Sequence, residues 1–191
     1  MAHLTKYKHQ QIRSSEFFAQ FTHIKEPPAP RDPVDVFMAN TQKKETIKNI
    51  IDTHMDIWEQ YQILLRNYRP LRMRGDITTL CSWRFNLPEN VTDPKMMSCY
   101  FIQAFQFVND LYNVDNENLL GCWIHGGEKP YMIFLFCPIV VEPETGKKRI
   151  NCSALIDRRH LFNFHPDFYK FLESKGFNVK EGIFENVIKQ D

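Results

Sequence analysis

The sequence predicts an α+β domain, an antiparallel sheet of about four to five strands with helices packed on it. Two apolar runs, LLGCWI and YMIFLFCPIV, flank the turn-forming GGEKP, which predicts an antiparallel hairpin. Apolar residues recur at helical spacing between Ile47 and Leu65, giving one buried face. Strands joined by hairpins, set apart from helices, complete the pattern.

The elements follow in chain order. Residues 1–25 are mixed and basic, with an apolar patch at Phe17, Phe18 and Phe21. EPPAPRDP, 26–33, reads as a proline-rich connector. Thr41 is a candidate cap for a helix whose apolar positions include Ile47, Ile50, Ile51, Met55, Trp58, Tyr61, Leu64 and Leu65, ending before Pro70. DITTLCSWRFNLP, 76–88, is rich in β-formers and predicts a strand. Asp93-Pro94 opens a second helix over roughly 94–112. Leu119–Ile124 and Tyr131–Val141 predict the hairpin strands, EPETGKKR a turn, and INCSALI, 150–156, another strand. A last helix covers about 158–174, with Gly176 as its C′ residue. The organisation expected is one domain over 1–191: an N-terminal motif and connector (1–40), an α/β core (41–176) and a tail (177–191).

A hydrophobic content of 43% with 25% charged residues is ordinary for a globular chain. No apolar run is long enough to span a bilayer, and the start lacks the pattern of a signal peptide, so a cytoplasmic protein is the expectation. The five cysteines contain no CxxC pair; buried free thiols are expected rather than a zinc site, with Cys81, Cys122, Cys137 and Cys152 in strands.

The net charge of +1 conceals an uneven distribution. RNYRPLRMR, 66–74, holds Arg66, Arg69, Arg72 and Arg74 with Tyr68, and no acid intervenes between Gln60 and Asp76. Guanidinium groups bind phosphate in a fork, and both Arg and Tyr stack on bases. Nucleic-acid contact and a solvated helix end both fit this stretch. Arg13 adds to the basic N-terminal part. Lys147, Lys148 and Arg149 form a hairpin tip that reads either as a solvated turn or as a phosphate contact. Asp76 reads either as a turn acid or as a site carboxylate.

Four segments, in order, resemble the MobV (Mob/Pre) class of plasmid mobilisation relaxases, within the HUH endonuclease superfamily. KYKHQQIRSSEFFAQFTHIKE resembles the family's N-terminal motif ending in Phe-x-His. RGDITTLCSW resembles its Arg-x-Asp strand, and IHGGEKPYMIFLFCPI its metal motif. INCSALIDRRHLFNFHPDFYKFLESKGFNVKEG resembles the strand and helix that follow. The resemblance implies an HUH relaxase-like fold and DNA as partner, in single-stranded or hairpin origin-like form. It also implies a role in mobilisation or recombination, and leaves a homo-oligomer open.

The resemblance further implies His23 as candidate nucleophile and a metal motif of the form His-x-Asp-Glu-x-x-Pro-His-x-His. Aligned on Pro130, with one residue fewer in the turn, His125 matches the first histidine and Glu128 the glutamate. Tyr131 and Ile133 stand where the other two histidines belong. Isoleucine has no donor atom, and a phenol ligates only when deprotonated, far above neutral pH. The cofactor expectation is therefore none, or weakly bound Mn or Mg. Residues 131 and 133 are expected to share a sheet face, with His125 across the hairpin. His160 and His165 read as surface residues or as replacements completing a metal site. The function expected is DNA binding with nicking lost or weakened; the alternative is an active nickase and strand transferase with a rearranged metal site.

Overall fold

A computed structural model describes residues 2–22, 56–72, 74–89, 91–114, 118–180 and 183–186. Its centre is a four-stranded antiparallel sheet in the order β1-β2-β4-β3, formed by β1 (Ala2–Lys8), β2 (Thr78–Asn86), β3 (Leu119–His125) and β4 (Tyr131–Phe136). The predicted hairpin is β3 and β4, with His125 opposite Tyr131. Near the start of β3 the register shifts between Leu119 and Gly121. Gly121 is required there, because a Cβ at that position would stand 2.2 Å from the Trp123 ring.

The alternation of β2 explains why the sheet is covered on both faces. Cys81, Trp83 and Phe85 point to one side, joined by Met132, Phe134 and Phe136 of β4. Two helices cover that side, α3 (Pro94–Leu111) and α5 (Arg158–Ser174). Trp83 stacks on Phe164 of α5 with ring centroids 3.7 Å apart, and Phe107 of α3 meets Phe164 edge-on. Such pairs add about 0.5–1.5 kcal/mol beyond the area they bury. Leu80, Leu120, Ile133 and Leu135 point to the other side. There they pack against Phe18 and Phe21 of α1 (Glu16–Thr22) and Tyr61, Leu64 and Leu65 of α2 (Ile57–Asn67).

Helix boundaries follow their caps. Asp93 accepts from Met96 N and Asp157 from His160 N, each satisfying a backbone N–H left open at a first turn. Gly176, at φ +87°, follows the end of α5, as its placement in the sequence predicts. The 47–55 part of the first predicted helix, with its Thr41 cap and the proline-rich connector, lies outside the described residues.

Five expectations are corrected. The N-terminal segment, read as mixed, contributes the edge strand β1, whose polar-basic sequence suits a strand with one unpaired margin. The segment 131–141 is two strands, because Pro138 lacks the donor that a continuous ladder needs. Its second part, β5 (Ile139–Val141), pairs with β6 (Lys148–Ile150) in a separate ribbon. INCSALI is not a strand: Asn151 accepts from Ala154 N and caps the short helix α4 (Cys152–Leu155). The tail forms a third ribbon, β7 (Phe177–Lys180) with β8 (Ile183–Asn186). Among the cysteines, all free thiols, Cys81, Cys137 and Cys152 are buried but Cys99 is exposed, and Cys137 and Cys152 lie outside strands.

Candidate nucleic-acid interface

The hairpin end of the sheet gathers a distinct set of side chains. Ladder register sets Tyr131 between Asn86 and His125, and Ile133 between Arg84 and Trp123. His125, Tyr131, Ile133 and Arg84 therefore share one face, as the spacing of 131 and 133 predicts. The His125 and Tyr131 rings stack at 4.6 Å between centroids, tilted by only 12°. The Arg84 guanidinium lies 3.8 Å from the Tyr131 ring centroid, a cation–π contact, and its Nε donates to Asn86 Oδ1 at 2.9 Å.

His125 is buried, at 8% exposure, and its Nε2 has no hydrogen-bond partner. The ring hydrogen-bonds the backbone of Phe21, near the end of α1. Burial lowers its pKa, the Phe21 bond opposes that, and the Arg84 charge lowers it further, so the neutral form dominates at pH 7. Phe21 stands two positions before His23 in the sequence; His23 itself is outside the described residues.

These residues do not fit a divalent metal held by three imidazoles. His125 contributes one nitrogen, Ile133 contributes none, and a permanent guanidinium charge lies against Tyr131. Glu128 is exposed in the turn between the strands. Among the described residues no group of three or more His, Cys, Asp or Glu is placed to hold a metal ion. His160 and His165 are on α5, which covers the opposite face of the sheet from Ile133, so neither completes this set. His160 Nε2 instead meets the Tyr112 hydroxyl at 3.0 Å.

The basic residues collect elsewhere. Arg72, Arg74, Asp76 and Arg149, together with Lys6, line an open cleft of about 790 Å³. The cleft borders Thr78 at the start of β2. Arg84 is six positions along that strand, roughly 20 Å away at about 3.3 Å per residue. Arg74 and Asp76 form an exposed ion pair at 3.4 Å, which contributes little to stability in water. Arg149 is more enclosed and bridges to Glu142 across the β5–β6 ribbon at 2.5 Å, a structural tie that the hairpin-tip reading does not anticipate. Arg66 and Arg69 are exposed at and after the end of α2, and Lys147 and Lys148 are exposed at the ribbon tip. Arg13 is exposed, with its Nε donating to the Gln10 carbonyl.

Sequence reasoning passed over Arg84. The signal was present: it is the one charged residue within TTLCSWRFN, at the spacing of Leu80 and Ser82 on one face of the strand.

No protein-family model matches the chain, and no curated protein does. Solved structures do. The chain is similar to the MobM relaxase domain (MOBV; Mob_Pre) bound to a 26-nucleotide oriT DNA, at 17% identity and a TM-score of 0.59, covering 100% of this chain and 95% of that one. It is similar to a manganese-bound form of that domain on plasmid oriT DNA, at 14% identity and a TM-score of 0.64, covering 100% and 94%. A third form, carrying a 3′-thiophosphate, matches at 18% identity and 0.62, covering 100% and 93%. The chain therefore has the MOBV-class relaxase fold.

Proposed function

We propose that this chain is a relaxase-like DNA-binding protein of plasmid or mobile-element mobilisation or recombination. It engages single-stranded or hairpin origin-like DNA, and its nicking chemistry is lost or weakened. The observation that carries the reading is the hairpin itself, in which Tyr131 stacks on His125 and Ile133 follows on the same face; by the resemblance, 131 and 133 are where the family's other two histidines would stand. Support for DNA as partner comes from the MOBV-class fold, whose solved examples are bound to oriT DNA.

The chemistry explains why binding outlasts cleavage. An imidazole attacking a phosphodiester builds charge on the non-bridging oxygens, and a bound divalent cation offsets it. One imidazole beside an isoleucine cannot hold that cation. Binding needs only backbone phosphates neutralised by Arg and Lys. Arg72 and Arg74 in the cleft, Arg66 and Arg69 beside α2, Arg13, and the ribbon tip at Lys147, Lys148 and Arg149 are the candidates, with Asp76 orienting Arg74.

A second reading, an active nickase using His23, draws on the bond between His125 and Phe21, two positions before that histidine. Binding to a fluorescent hairpin oligonucleotide, titrated with salt, separates a DNA-binding protein from an unrelated one. Steep salt dependence is expected; absence of binding at low salt refutes the proposal.

A further inference from the structure

The face that lacks two imidazoles carries a protein-borne cation instead. We propose that Arg84 takes the place of the divalent metal, binding a DNA phosphodiester directly at the hairpin so that the site engages DNA without metal. This rests on the DNA-binding reading above and names the ligand of its hairpin site.

Three observations converge. First, Arg84 is in ladder register with Ile133, one of the two positions where a metal-binding imidazole is missing, and its guanidinium lies against Tyr131, the other. A dication beside a guanidinium at that distance is repelled, so the two cations exclude each other. Second, Arg84 is preorganised. Its Nε is engaged by Asn86 Oδ1 and its Cζ lies over the Tyr131 ring, which in turn stacks on His125. Engaging Nε and the ring face leaves the terminal nitrogens as the fork suited to a phosphate. Third, Arg84 is exposed, and no carboxylate pairs with it among the described residues. A permanent cation held in place and facing solvent, with no counter-ion among the described residues, is a binding group for an anion.

His125 leaves a buried polar atom beside this group. Its Nε2 is buried without a partner, one ring away from the guanidinium, and burial of such an atom is costly unless a ligand or water satisfies it. A phosphate oxygen at the hairpin accepts from the terminal nitrogens of Arg84. The pattern suits a single-stranded backbone, whose phosphates reach a sheet face without duplex geometry.

The test measures anisotropy of a fluorescein-labelled single-stranded hairpin oligonucleotide with wild type, Arg84→Gln, Arg84→Lys and the control Lys170→Gln, each in EDTA and in Mn²⁺. Wild-type affinity is expected to be the same in both buffers. Arg84→Gln should lose roughly 10-fold or more and flatten the salt slope by about one phosphate contact. Arg84→Lys should recover part of the affinity, and Lys170→Gln, on the opposite face, should bind as wild type. Binding that needs Mn²⁺, or Arg84→Gln binding as tightly as wild type in EDTA, overturns the inference and leaves the DNA-binding reading intact. Absence of wild-type binding in both buffers overturns both.

Discussion

Phe164 is the residue whose removal should cost most. It is 1% exposed, stacked on Trp83 at 3.7 Å and 10°, and met by Phe107 at 5.4 Å. Phe164→Ala removes the ring and leaves a cavity between α5 and the sheet. Buried Phe→Ala changes cost about 3–5 kcal/mol, and the closeness of the Trp83 stack places this one at about 4 or above. Against a typical total of about 5–15 kcal/mol, that is a large fraction. For a chain of this length about 2–4 °C is lost per kcal/mol, so the midpoint should fall by about 8–16 °C. Urea unfolding monitored by circular dichroism reads the effect as a lower midpoint at unchanged slope. Phe162, on the same helix but 81% exposed, is the control, and Phe162→Ala should stay within about 0.5 kcal/mol. A loss below about 1 kcal/mol at Phe164, or equal losses at both sites, refutes the packing of α5 on β2.

Other outcomes follow from the same geometry. Tyr61→Phe strands the buried Thr79 hydroxyl, which meets Tyr61 Oη at 2.6 Å, and should cost about 1–3 kcal/mol in the same assay; a neutral result contradicts that bond. His160 and His165 have pKa values lowered by burial, so the unfolded chain takes up protons first. Stability is therefore full above the unfolded value near ~6.5 and falls as pH drops through it. His160→Gln and His165→Gln should each reduce the difference between unfolding curves at neutral and mildly acid pH. Unchanged differences exclude the two residues as the source. Arg72→Ala and Arg74→Ala should each weaken DNA binding and reduce the salt slope by about one; unchanged affinity in both removes the cleft from the interface.

The sequence showed most where periodicity and punctuation agreed. The hairpin around GGEKP, the helix opened by Asp93-Pro94 and the stop at Gly176 all carry strong local signals, and all appear in the fold. The edge strand β1 did not show, because AHLTKYK has no apolar run and gains its strand character by pairing with β2. INCSALI was misread because its β-forming composition hid the capping role of Asn151. The shared face of 131 and 133 followed from strand alternation alone. That Arg84 would lie against it required the register between β2 and β4, a long-range fact no local pattern holds. The same limit kept hidden that the cleft arginines, Arg72 and Arg74, lie by the start of β2 while His125 lies across the sheet from its far end.

The central claim is that this fold binds DNA with a hairpin no longer built for a metal. Its most direct measurement incubates the protein with supercoiled plasmid carrying a binding site, in Mn²⁺ and in EDTA, scoring nicked circles beside gel-shift binding. Salt-sensitive binding in both buffers without nicked circles is the predicted result. Nicking in Mn²⁺ that His23→Ala abolishes would contradict it.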